Sequence, residues 1–105
     1  MYNYKPHYTE PVFCPICLFK LYKAGDLIYP TITCKCKANI EMSVRGIISK
    51  INFPINDKLK IILLPNCNII QIWKSKDNNF QLYKKLDYTS YTEFAKLIQQ
   101  YKLLS

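Results

Sequence analysis

The chain has 105 residues, half of them apolar and 14% aromatic, enough for one small core or for a metal module joined to a partner of similar size. That length leaves no room for a multi-domain enzyme, and the composition argues against wholesale disorder. Fifteen Lys and Arg against seven Asp and Glu give a net charge of +8, which favours a polyanionic partner or an acidic protein surface.

The basic residues are dispersed. Residues 1–45 carry six of them and residues 46–105 carry nine, so neither half is a basic tail. All but Arg45 are lysines, which leaves almost no capacity for bidentate guanine readout. Ile, Lys, Tyr and Asn together supply 45 of the 105 residues, a bias expected of an AT-rich genome such as that of a large DNA virus, a phage or certain bacteria and protists. The longest aliphatic run, Ile61-Ile62-Leu63-Leu64, falls far short of the ~20 residues a membrane span needs. The opening residues Met1 to His7 lack the apolar run of a secretion signal. An intracellular location is therefore expected, in the cytoplasm or nucleus of a host or in a virion, with no membrane partner.

Residues 1–12 are aromatic and polar without periodicity and are broken by Pro6 and Pro11, so they read as an extended arm. The cysteines follow. Cys14-Pro15-Ile16-Cys17 is separated by sixteen residues from Cys34-Lys35-Cys36, and Cys67 stands alone. Two close pairs joined by a hairpin-length segment suit a tetrahedral thiolate site, because each pair turns two sulfurs toward one ion. Disulfides fit less well, since the count is odd and an intracellular chain keeps its thiols reduced. An iron-bearing site is the other alternative. His7 could replace a cysteine ligand, although exposure is the simpler expectation for it.

These paired cysteines resemble a zinc ribbon, the module common in transcription factors and RNA polymerase subunits. The resemblance covers roughly residues 11–44, about a third of the chain. It implies β-hairpins around one structural Zn2+ held by Cys14, Cys17, Cys34 and Cys36, with nucleic-acid or polymerase contacts. Leu18 and Lys37-Ala38 stand where the ribbon pattern often has glycine, and the second pair is one residue tighter than usual. Four thiolates would close the coordination sphere and leave no position for an activated water, so the site is read as structural. Lys35 and Lys37 would partly offset its negative charge.

Leu18 to Lys23 reads as the first strand of the ribbon hairpin, Ala24-Gly25-Asp26 as its turn, and Leu27 to Thr33 as the return strand. Ile40 to Ile51 continues extended and leads away from the metal site. Pro54, Asn56 and Asp57 mark a turn, after which Leu59–Leu64, Asn68–Lys74 and Phe80–Lys85 read as strands. Cys67 lies at a turn between two of them, as a small half-buried residue without a base to activate it. Strict alternation in the last two strands puts Ile70, Ile72, Phe80 and Leu82 on one face, and Ile69, Gln71, Trp73, Gln81, Tyr83 and Lys85 on the other. The first expectation for the Trp73 face is burial beneath the C-terminal helix; a protein interface and nucleic-acid stacking are the alternatives. The helix itself opens with Ser90 and Glu93 as a capping box and carries Tyr91, Phe94, Leu97, Ile98, Tyr101 and Leu104 on one stripe.

The fold class expected is α+β: an N-terminal zinc ribbon, then a small antiparallel sheet and one amphipathic helix. The division is an arm over 1–12, the ribbon over 13–45 and a β-meander with helix over 46–105, the last two either separate or one continuous domain. An enzyme is the poorest fit, because acidic residues are sparse and the one His lies near the start. The leading expectation is a non-enzymatic protein of a transcription or nucleic-acid-processing complex. Lys20, Lys23, Trp73, Lys74, Lys76, Tyr83, Lys84 and Lys85 are its candidate contacts, and no small-molecule substrate is expected. The other class is a structural or protein-interaction module (virion component, assembly adaptor or inhibitor) in which zinc only stabilises the fold.

Overall fold

Ile51 and Phe53, Ile61 and Leu63, and Ile70 and Ile72 each stand two residues apart, a spacing that turns both side chains of a strand to the same face. In the computed structural model these pairs come into register and form the floor of the core. The structure describes residues 10–26, 31–42 and 47–104. Its elements are β1 (Val12–Phe13), β2 (Lys20–Tyr22), β3 (Thr31–Thr33), β4 (Asn39–Met42), β5 (Ile48–Asn56), β6 (Leu59–Leu64), β7 (Ile69–Lys76), β8 (Asn79–Asp87) and α1 (Tyr91–Leu104). A single 3-10 turn, Pro65–Cys67, joins β6 to β7.

Among the described residues there are two antiparallel sheets, and the helix makes the class α+β. Strands β1 and β2 pair with each other, and β3 to β8 form a six-stranded meander in chain order. One cross-strand row runs Ile32, Ile40, Ile51, Leu63, Ile70, Leu86, and the next runs Phe53, Ile61, Ile72, Lys84. The aliphatic residues at the centre of both rows are buried. Helix α1 covers this face: Phe94 and Ile98 join the same buried cluster, and Lys102 Nζ lies 4.8 Å from the centre of the Phe53 ring. Burying two such side chains contributes about 1.5–3 kcal/mol each. Ser90 caps the helix, its Oγ accepting the Glu93 N–H at 3.2 Å.

Several expectations from the sequence hold closely. Strand β6 coincides with Leu59–Leu64, and β7 and β8 form the expected hairpin. Asp77 and Asn78 make its two-residue turn with φ of +53° and +68°, the left-handed pair that matches strand twist in a tight hairpin. Ala24-Gly25-Asp26 is a turn as well, with Asp26 N–H bonded to the Lys23 carbonyl at 3.1 Å.

Other expectations are corrected. Residues 18–33 are not one hairpin. Val12 pairs with Tyr22 and Phe13 with Lys20, whereas Thr31–Thr33 pairs with β4. Each cysteine pair reverses the chain, so its flanking strands meet each other first. Leu27 to Pro30 of the expected return strand lie outside the described residues. Residues 40–51 do not run onward from the metal site either: Ile40 pairs with Ile51, so β5 folds back along β4. The buried cluster accordingly includes Cys14, Tyr22 and Cys34 together with Ile40, Ile51 and the helix residues.

Helix α1 does not cover the Trp73 face. It lies on the opposite side of the sheet, where Phe94 and Ile98 share the buried cluster with Phe53, Ile61 and Ile72. The alternation assumed for β8 also fails. Ile72 pairs with Lys84 but Trp73 with Leu82, so Tyr83 is an extra residue in a one-residue bulge. A bulge reverses which side chains face which way. Phe80, opposite Ser75, and Leu82, opposite Trp73, therefore share the Trp73 face, and Tyr83 leaves it to meet Lys74, whose Nζ lies 3.8 Å from the ring centre.

Candidate metal centre and aromatic face

The first cysteine pair is held by two backbone bonds. Cys14 N–H donates to the Phe19 carbonyl at 2.8 Å, and Leu18 N–H returns to the Cys14 carbonyl at 2.9 Å. The second pair repeats the frame with one residue fewer: Cys34 N–H donates to the Ala38 carbonyl and Lys37 N–H to the Cys34 carbonyl, both at 2.9 Å. In each knuckle the residue after the second cysteine takes a left-handed backbone, φ +64° at Leu18 and +80° at Lys37. These are the positions where the ribbon pattern often has glycine, and the backbone geometry explains that preference. The tighter second loop changes the size of the turn and keeps its role.

The two knuckles face one another. Cys14 Sγ lies 3.8 Å from Cys36 Sγ, Cys17 Sγ lies 3.4 Å from Cys34 Sγ, and all four sulfurs fall within 4.8 Å of one another. A tetrahedral zinc ion with bonds of about 2.3 Å requires sulfurs about 3.8 Å apart, so the arrangement fits such an ion. The separations exceed the S–S bond length of about 2.05 Å, and all five cysteines are free thiols. Among the described residues this is the group able to hold a metal. Cys14 and Cys34 are buried and Cys17 is exposed.

The thiols do not share one environment. Burial lifts Cys14 above the usual thiol range, and burial lifts Cys36 strongly, with Cys34 and Cys14 adding to the effect. Burial also acts to raise Cys17, but the Phe19 backbone and the three neighbouring thiols hold it below the usual range. Four sulfurs this close ionise together only when a cation balances them, the electrostatic setting of a tetrathiolate metal site.

Lys35 extends from the second knuckle over the first, its Nζ 4.3 Å from the centre of the Phe19 ring. Lys37 is exposed. Cys67 is exposed in the 3-10 turn instead of half-buried, because the turn projects it outward from the end of β6. His7 and the tyrosines of the N-terminal arm lie outside the described residues, as does Arg45.

The eight candidate contact residues fall on two hairpins. Lys20 and Lys23 are exposed at β2 and the turn after it. Lys74 and Lys76 on β7, with Tyr83, Lys84 and Lys85 on β8, are exposed, and Trp73 is half-buried. The bulge at Tyr83 divides the second group: Trp73 and Lys85 stand on one face, Lys74, Tyr83 and Lys84 on the other. Sequence reasoning missed three members of the Trp73 face, Lys60, Phe80 and Leu82. Lys60 pairs with Trp73, and its Nζ lies 4.4 Å from the Phe80 ring centre and 5.8 Å from that of Trp73. Alternation within β6 would have found Lys60; Phe80 and Leu82 were hidden by the bulge. Trp73 Nε1 donates to Gln71 Oε1 on the same strand at 3.1 Å.

No helix among the described residues is long and apolar enough to cross a membrane. Comparison with protein-family models, with curated proteins and with solved structures finds no match.

Proposed function

We propose that this chain is a small non-enzymatic protein of the zinc-ribbon type that works within a transcription or other nucleic-acid-processing complex, its fold stapled by one Zn2+ on Cys14, Cys17, Cys34 and Cys36. The observation that carries the reading is the pair of knuckles. They bring four sulfurs to within 4.8 Å of one another at one end of a sheet whose last hairpin is rich in exposed lysine. A closed tetrathiolate site supplies folding energy and leaves catalysis without a free coordination position. The net charge of +8 then supplies attraction for phosphate.

A second reading draws on a different surface. Phe13, Leu18 and Phe19, beside the first knuckle, are 49%, 73% and 45% exposed. Apolar side chains held out by a metal knuckle suit a protein partner, and in that case zinc only stabilises an interaction module.

Fluorescence anisotropy of the zinc-loaded protein with labelled DNA and RNA, from about 50 to about 200 mM salt, separates the two. Binding that survives the upper salt and heparin competition is expected under the first reading. Binding that collapses over that range leaves the interaction module, whose partner then has to be sought at Phe13, Leu18 and Phe19.

A further inference from the structure

We propose that the sheet face carrying Trp73 and Phe80 is a stacking platform for single-stranded nucleic acid, with Lys60 and Lys85 as its phosphate contacts. The inference rests on the nucleic-acid reading above and names the class of nucleic acid and the surface that takes it.

Three observations on this face agree. First, the face is left partly open to solvent: Phe80 is 38% and Leu82 40% exposed and Trp73 is half-buried beside them, while α1 covers the other side of the sheet. Second, the charge at the centre of the face is positive; Asp87, opposite Ile69, lies on the same face one row beyond Lys85, toward the end of β8. Across β5 to β8 the register sets Pro54, Lys60, Trp73 and Leu82 in one row, with Gln71 and Lys85 in the row beside it. Among the described residues Lys60 has no carboxylate partner; its ammonium sits against two rings instead. Third, the Trp73 N–H is already taken by Gln71. The indole therefore offers ring surface with little hydrogen-bond readout, a chemistry every base satisfies.

The spacing suits a strand of nucleic acid. Phe80 stands opposite Ser75, two residues along β7 from Trp73, a step of about 7 Å. An extended, unstacked strand covers a similar distance from one base to the next. A duplex keeps its base faces stacked inside and presents only phosphate and groove edges, so it cannot use the rings. An acidic protein surface meets the lysines with carboxylates and packs side chains, not bases, on the rings. The platform selects the single strand because that partner alone offers bare π-faces and phosphates together.

Trp73 is the one tryptophan in the chain, so it reports its own site. The zinc-loaded 105-residue chain is titrated at about 150 mM salt with oligothymidine and oligouridine of about 12 nucleotides, with a duplex of the same length, and with polyglutamate. Trp73 fluorescence and anisotropy are followed together. The expected result is quenching by the single strands, with an affinity at least about ten times that for the duplex, and no quenching by polyglutamate. DNA and RNA arms then tell which sugar is preferred. Phe80→Ala and Lys60→Ala should each weaken single-strand binding about five-fold or more, whereas Phe80→Tyr retains it. Lys96→Ala, on the outer side of α1, controls for the loss of one positive charge and should have a clearly smaller effect. Circular dichroism of each variant confirms that the fold is intact. Equal binding of duplex and single strand with Trp73 unquenched overturns the platform and leaves the broader nucleic-acid reading standing. Equal quenching by polyglutamate also overturns it, in favour of an acidic protein. Failure of every nucleic acid to bind removes both readings.

Discussion

Leu18 and Lys37 occupy the same place in two knuckles of different length, and both hold a left-handed backbone, φ +64° and +80°. Their N–H groups close the turn onto the carbonyl of the first cysteine in each pair. A side chain at such a φ costs roughly 1 kcal/mol, and 73% of Leu18 is exposed, so little packing offsets that cost. Leu18→Gly should therefore raise stability by about 0.5–1 kcal/mol, and Leu18→Val, β-branched at positive φ, should lower it by about 1–2 kcal/mol. Thermal unfolding of the zinc-loaded variants reads both. A Tm that falls in Leu18→Gly would show that the leucine contributes a contact outweighing its backbone strain.

Cysteine reactivity should divide the five thiols into four and one. With zinc bound, iodoacetamide should modify only Cys67, which is exposed and outside the sulfur cluster. After chelation all five should react, with exposed Cys17 ahead of buried Cys14 and Cys34. Peptide mass spectrometry gives the order. Cys14→Ser or Cys34→Ser should abolish stoichiometric zinc, and Cys67→Ser should leave it unchanged. Retention of zinc in either ligand variant would exclude the four-sulfur site.

Lys35 spans the knuckles by resting on Phe19. A zinc ion with four thiolates carries a net negative charge, and this lysine lies beside it. Lys35→Ala should cost no more than about 1 kcal/mol, since an exposed cation–π contact is worth that at most. Lys35→Glu should speed zinc loss to a chelator more than Lys35→Ala does, because it adds like charge to the site. Equal rates for the two variants would mean that charge plays no part there.

The helix should prove separable into cap and core. Ser90→Ala removes the oxygen that accepts the Glu93 N–H and should cost about 1 kcal/mol. Phe94→Ala empties a fully buried site over the sheet and should cost about 3–5 kcal/mol. Urea denaturation measures both. A Phe94→Ala loss as small as that of Ser90→Ala would indicate that α1 is loosely docked.

The sequence by itself determined much that depends on near neighbours, although Pro54 and Asn56, read as turn residues, lie in β5. The spacing of Cys14, Cys17, Cys34 and Cys36 identified the sulfur cluster, because a knuckle is a turn of a few residues with its own backbone bonds. Leu59–Leu64, the β7–β8 hairpin and the Ser90 cap were legible for the same reason: alternation, turn residues and caps act over two to four positions. Tertiary structure decided which strand meets which. The pairing of β2 with β1 and of β3 with β4 depends on chain reversal at both knuckles, which no local pattern ranks against a hairpin across Gly25. It also decided which side of the sheet the helix takes, and so left Phe80 exposed and Trp73 only half-buried. The bulge at Tyr83 is the sharpest case. One extra residue reverses the side-chain parity of β8, and the register that creates it is set by β7, a partner outside the strand itself.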